Sequence, residues 1–90
     1  MNSIPTDIVL KVRAQFSALD AADALELLTQ HKGEDLHRVL RCVLFLSHGD
    51  LSLLKHNLQQ ASEDYRDVVY WAEYDHNDKQ INDFSSPFVG

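Results

Sequence analysis

The stretch from Leu36 to about Ser47 restricts the fold of this chain more than any other segment. Leu36, Val39, Leu40 and Val43 recur at helical spacing with His37, Arg38 and Arg41 opposite, the pattern of an amphipathic helix with one buried stripe. Beyond Arg41 the side chains Cys42, Val43, Leu44, Phe45 and Leu46 are apolar whichever way a helix turns them. A helix that is apolar all round must be wrapped by other elements, so residues 36 to 47 are expected to form the central helix of a bundle. The same run falls far short of the roughly 18 to 20 residues that span a bilayer, and no membrane segment is expected.

The flanking sequence supplies helices to wrap it. Ser3 and Pro5 suit a helix start, and Ile8, Val9, Val12 and Phe16 share one face, which predicts a first helix over about 4–16. Asp20 is a capping residue for a second helix over about 20–32, with Ala21, Ala24, Leu25 and Leu28 inward and His31 and Lys32 at its negative end. Gly33 and Gly49 are stop signals on either side of the central helix, with Glu34 or Asp35 opening it. Asp50 caps a fourth helix over about 50–61 whose inner face is Leu51, Leu54, Leu58 and Ala61.

Ser62, Glu63 and Asp64 then resemble a new helix start, so a fifth helix or a bend in the fourth is expected. Tyr65, Val68, Val69 and Ala72 form its inner face. The β-branched and aromatic content of Val68 to Trp71 also suits a strand, but a lone strand has nothing to pair with. After Asp75 the sequence loses its period, and Asp83 to Gly90 carries Phe84, Phe88 and Val89 around Ser-Ser-Pro. The expected architecture is all-α: a compact bundle of about five short helices in residues 1–76, with an irregular tail over 77–90 docked on the bundle or on a partner.

Ninety residues fill one core and no more, and 44 % hydrophobic content with 24 % charge excludes disorder for the body of the chain. One cysteine makes no internal disulfide, and the N-terminus lacks a basic patch followed by an apolar run, so a cytoplasmic protein is expected. The net charge of −6 is concentrated late: Glu63, Asp64, Asp67, Glu73, Asp75, Asp78 and Asp83 face only Arg66 and Lys79. Phosphate backbones and anionic lipids attract clustered Lys and Arg, so this balance argues against nucleic acid and membrane partners and favours a basic protein surface.

The segments Gly49-Asp50-Leu51, Asp64-Tyr65-Arg66-Asp67-Val68-Val69 and Trp71-Ala72-Glu73-Tyr74-Asp75 together resemble a pattern shared by small uncharacterised bacterial proteins. The resemblance covers about a third of the chain and implies a bacterial source without an activity.

Each residue type that carries chemistry has a structural explanation here. Cys42 is the only thiol and opens the all-apolar segment, which is the setting of a core cysteine. His31, His37, His48, His56 and His76 do not pair at metal-ligand spacing, and His31 and His48 fall where a helix C-terminus welcomes a donor, so no metal or other cofactor is expected. Glu63, Asp64 and Asp67 cluster at a helix start, where negative charge is favourable without catalysis. Two helices around Gly33 have helix-turn-helix spacing, but a groove-reading helix would expose polar residues where Cys42 to Leu46 stand.

The remaining candidate is the strip Arg66, Asp67, Tyr70, Trp71, Glu73 and Tyr74, rich in the residue types that anchor protein interfaces. Three large aromatics within five helical residues cannot all face inward. The strip predicts a non-catalytic module that binds a protein partner or a second copy of itself. A small acidic inhibitor or immunity-type protein blocking a basic partner is the alternative, and a small enzyme a third reading.

Overall fold

The computed structural model describes residues 4–88 and contains helices α1 (Thr6–Gln15), α2 (Ala18–Gln30), α3 (Leu36–Ser47) and α4 (Leu51–Glu73). No strand occurs among the described residues beyond one isolated antiparallel bridge between Tyr74 and Gln80. Ser3, expected to cap α1, and Val89 lie outside the described residues. The Pro5 carbonyl accepts the N–H groups of Ile8 and Val9 at the start of α1.

The α1–α2 link is only Phe16 and Ser17, both extended, and Ser17 rather than Asp20 caps α2. Its hydroxyl accepts the Asp20 N–H at 3.4 Å, so Asp20 sits inside the first turn, where a carboxylate favours the helix dipole. The α2 helix ends at Gln30, ahead of Gly33, because His31 is already extended; Gly33 has φ +151° and turns the chain toward α3. The Asp35 residue precedes α3 in the left-handed region at φ 52°, and its side chain reaches Arg38 instead of capping the helix.

At the other end of α3, His48 and Gly49 are both left-handed. A Cβ on Gly49 would lie 2.6 Å from the Gln15 carbonyl oxygen, so the absence of a side chain lets the α3–α4 turn press against the end of α1. Asp50 caps α4 through one carboxylate oxygen that accepts Ser52 and Leu53 N–H groups at 2.8 and 3.2 Å.

The expected fifth helix is the second half of α4. The two halves meet at Asp64, whose backbone is extended (φ −155°, ψ 100°). Its carboxylate accepts the Arg66 N–H at 3.1 Å, the bond of an N-cap, while the Ser62 hydroxyl donates back to the Leu58 carbonyl. Capping chemistry placed inside a continuous helix gives a kink, not a new element.

The core joins Ile8, Val12 and Phe16 of α1 and its end, Ala21, Ala24 and Leu28 of α2, Val39, Leu40, Cys42, Val43 and Leu44 of α3, Leu54, Leu58, Ala61, Val68 and Ala72 of α4, and Phe84 beyond it. Helix α3 makes its largest packing surface with α4, while α1 touches α2 and α3. Leu40, Val43 and Leu44 are buried as the apolar run requires, whereas Leu46 is only half-buried beside the turn.

Past Glu73 the chain turns back. The Asp75 carboxylate accepts N–H groups from Asn77 and Lys79, Asp75 N–H donates to the Lys79 carbonyl, and Asp78 takes φ 60°. Ile81 and Asn82 N–H groups then both reach the Glu73 carbonyl, at 2.7 and 3.2 Å. The segment expected to be irregular therefore contains an ordered turn followed by a strap over residues 81–88. The radius of gyration, 12.2 Å, equals that of a compact domain of this length, about 12 Å, because the strap lies along the bundle.

Candidate interaction surface and the ion pairs beneath it

The C-terminal half of α4 has two faces. Val68 and Ala72 are fully buried, with Tyr65 and Val69 packed partly against the same core, which is the inner face helical spacing predicts. Outward stand Arg66, Asp67, Tyr70 and Trp71, with Tyr74 half-buried at the edge. Tyr70 is 43 % and Trp71 50 % exposed, so two large rings face solvent on one helical turn. The rings of Tyr70 and Tyr74, one turn apart, stack with centroids 5.3 Å apart and planes 13° from parallel. The Arg66 guanidinium folds back onto Asp64 at 3.1 and 3.3 Å, which holds the Asp64 carboxyl below its ordinary value. Asp67 is exposed one helical turn before Tyr70 and Trp71, and half-buried Asp75 follows Tyr74 with its carboxylate engaged in the turn.

Glu73 does not belong to that surface. It was expected to face outward with Tyr70, but its side chain is fully buried. The reason is visible in the spacing: residues 65, 69 and 73 form one i, i+4, i+8 row, so Glu73 continues the row of two inward residues. Its carboxylate survives burial because every oxygen is engaged. Arg38 donates Nε to Oε2 at 2.8 Å and a terminal nitrogen to Oε1 at 2.5 Å, the strap supplies the Phe84 N–H at 3.0 Å, and Gln80 adds a contact at 3.3 Å. Burial pushes the Glu73 carboxyl up, but the Arg38 fork and the Phe84 N–H outweigh it and leave it below the ordinary glutamate range. The same pairing raises Arg38 above its ordinary value.

A second buried pair lies one helical turn along α3. Arg41, placed by periodicity on the solvent face, is 6 % exposed and forks onto Asp7 of α1 at 2.9 and 3.3 Å. Asp7 also accepts the Phe88 N–H at 3.1 Å, and the Arg41 guanidinium donates to the Phe84 carbonyl at 3.3 Å. The Arg41 hydrogen bond holds Asp7 below the ordinary aspartate range. Phe84 thus bridges the two pairs through its own peptide groups, and its ring packs 5.2 Å from Phe45 and 5.8 Å from Phe88, over which the Lys11 ammonium sits at 5.3 Å.

The other chemically suggestive side chains are in structural settings. Cys42 is buried, and burial, followed by the nearby Glu73 charge, pushes its thiol up to about 12. A thiol held there supplies no thiolate at neutral pH. His31 and His48 are the C-cap residues of α2 and α3, and burial lowers the His31 pKa, which disfavours its charged form. No group of three or more His, Cys, Asp or Glu side chains that could hold a metal ion occurs among the described residues. No described helix is long and apolar enough to cross a membrane. The buried pairs were missed in the sequence because the partners of Arg38 and Arg41 are 35 and 34 residues away. No family model matches the chain, and neither the curated proteins nor the solved structures contain a match to it.

Proposed function

We propose that the chain is a non-catalytic protein-interaction module of the bacterial cytoplasm that receives a partner on the outer face of α4, at Arg66, Asp67, Tyr70, Trp71 and Tyr74. The observation that carries this reading is the exposure of Tyr70 and Trp71 beside the stacked Tyr74. Large rings left in water on a rigid helix are the typical anchors of an interface, since they bury much area for little lost rotamer entropy. The partner that fits carries Lys or Arg, which pair with the surrounding carboxylates and stack on the rings.

Affinity capture from the native cytosol with wild type and Tyr70→Ala as parallel baits identifies such a partner. Trp71 is the only tryptophan, so its emission should shift to the blue as the captured partner docks. Tyr70→Ala should weaken association by at least about 1 to 2 kcal/mol while the melting temperature stays unchanged. A drop in melting temperature with unchanged affinity would place Tyr70 in the fold and remove the surface.

The acidity of the same face favours a second reading, a small inhibitor or immunity-type protein that blocks a basic partner. Salt separates the two. Association steered by charge slows steeply as ionic strength rises, whereas an interface anchored by rings keeps its rate.

A further inference from the structure

The α2 helix carries two apolar faces, and the bundle uses one of them. Ala21, Ala24 and Leu28 are buried against the core. Ala18, Leu19, Ala22 and Leu25 recur at i, i+1, i+4 and i+7, a second stripe at helical spacing. Leu25 is half-buried, the other three are exposed, and Leu19, at 84 %, is the most exposed large apolar side chain among the described residues. Beside the stripe, where α1 ends and α2 begins, runs a groove of about 430 Å³ lined by Arg13, Phe16, Ala18, Ala21, Ala22 and Leu25. A single leucine in water needs no explanation. A leucine standing beside a hollow of like chemistry on the same helix face does, because a knob and a hole on one surface are what two copies of one chain need in order to pair.

Charge fixes which occupant fits. Arg13 lines the Ala18 end of the groove and forms no ion pair among the described residues. Glu26, exposed at the other end of the stripe, accepts a 3.4 Å bond from Gln30 and meets no cation there. Two copies of α2 set antiparallel about a two-fold axis at Ala22 bring position 19 of each opposite position 25 of the other, and position 18 opposite position 26. Leu19 then enters the partner's groove over Leu25, and the same axis carries each Glu26 to the partner's Ala18 and so to its Arg13. Ala22 meets its own copy, where a small side chain lets the helices approach to about 8 Å. Asp23 falls on the far flank of the helix, away from the axis. From this match of knob to hollow and cation to carboxylate under one axis, we propose that the α1–α2 face is a self-association surface, closed by a second copy of this chain with Leu19 in the groove and Arg13 paired to Glu26 across the interface. It shares no residue with the outer face of α4. Thirteen residues make a helix only about 20 Å long, small for a stable complex, and the net charge of −6 repels a second copy. The dimer is therefore weak, with a Kd on the order of 0.1 mM.

Sedimentation equilibrium of the whole chain from about 10 μM to about 1 mM should show a reversible monomer–dimer equilibrium. Leu19→Ser should weaken it at least about tenfold and leave the melting temperature unchanged, since that side chain already stands in water in the single chain. Arg13→Glu and Glu26→Arg should each weaken it about tenfold, because the axis repeats every like-charged contact twice. An equimolar mixture of those two variants should associate as strongly as wild type, since each mixed dimer restores both ion pairs. That rescue separates a contact between chains from any contact within one. Should Arg13→Glu lose helix content by circular dichroism, Ala22→Cys takes its place. The axis brings two such side chains together, so this variant should oxidise to a covalent dimer much faster than Thr29→Cys, with the buried Cys42 inert in both. A wild-type chain still monomeric at about 1 mM would overturn the proposal, as would a dimer indifferent to Leu19→Ser, a mixture no stronger than either variant alone, or equal oxidation rates at positions 22 and 29. A dimer abolished by Trp71→Ala would overturn it too, by moving self-association to α4.

Discussion

Replacing Glu73 by alanine removes the point at which α3, α4 and the strap are joined. The carboxylate, itself fully buried, receives two bonds from part-buried Arg38 at 2.8 and 2.5 Å and the Phe84 N–H at 3.0 Å. Deleting one member of a buried ion pair costs about 3 to 5 kcal/mol, most of it from stranding the other charge. The Arg38 side chain keeps 28 % of its exposure and can turn outward, which places the loss at the lower end, about 3 kcal/mol, with about 1 kcal/mol more for the orphaned Phe84 N–H. A chain of 90 residues has about 5 to 13 kcal/mol to lose, so Glu73→Ala should retain its helix content but unfold at a much lower urea concentration. Glu73→Gln keeps the shape and an acceptor for Phe84, and should lose about 2 kcal/mol. Arg38→Met is the harsher change, since the carboxylate left behind has no exposure and must take up a proton. Urea unfolding followed by far-UV circular dichroism measures all three. A loss below about 1 kcal/mol for Glu73→Ala would show that the pair does not hold the strap.

The two arginine-paired carboxylates also set a pH dependence. Asp7 and Glu73 have native pKa values below their unfolded ones, so their stabilisation is complete above about pH 5 and is lost as pH falls below about 4 toward the native values, which acid titration of the unfolding free energy should show. Leu40→Ala or Leu44→Ala should each cost about 2 to 5 kcal/mol in urea unfolding, and a loss below about 1 kcal/mol at both would remove α3 from the centre of the core. Gly49→Ala forces a Cβ to within 2.6 Å of the Gln15 carbonyl at φ +79° and should cost at least about 2 kcal/mol by the same assay. Cys42 should react with a soluble disulfide reagent only at the rate of unfolding, and fast native-state labelling would contradict its burial and its pKa of about 12.

Local spacing was enough to find the helices and their inner faces, because an apolar stripe acts within a few residues, whereas of the expected caps Asp50 caps its helix, Ser17 takes the place of Asp20, and Asp35 makes no cap bond. They also placed Tyr70 at the surface, since Val68 and Ala72 had to face the core and a helix cannot turn every neighbour inward. The same local rules failed where burial is decided by a distant partner. Arg41 and Glu73 were assigned to the outer faces of their helices by position, yet both are inside, because Asp7 from α1 and Arg38 from α3 meet them there and the strap closes over the result. Capping chemistry at Asp64 was legible, but whether it began a helix or bent one depended on what the two halves pack against. Charge, cap and periodicity are properties of neighbours along the chain. The partner of a buried charge is a property of the closed fold, and the path of the tail follows that partner.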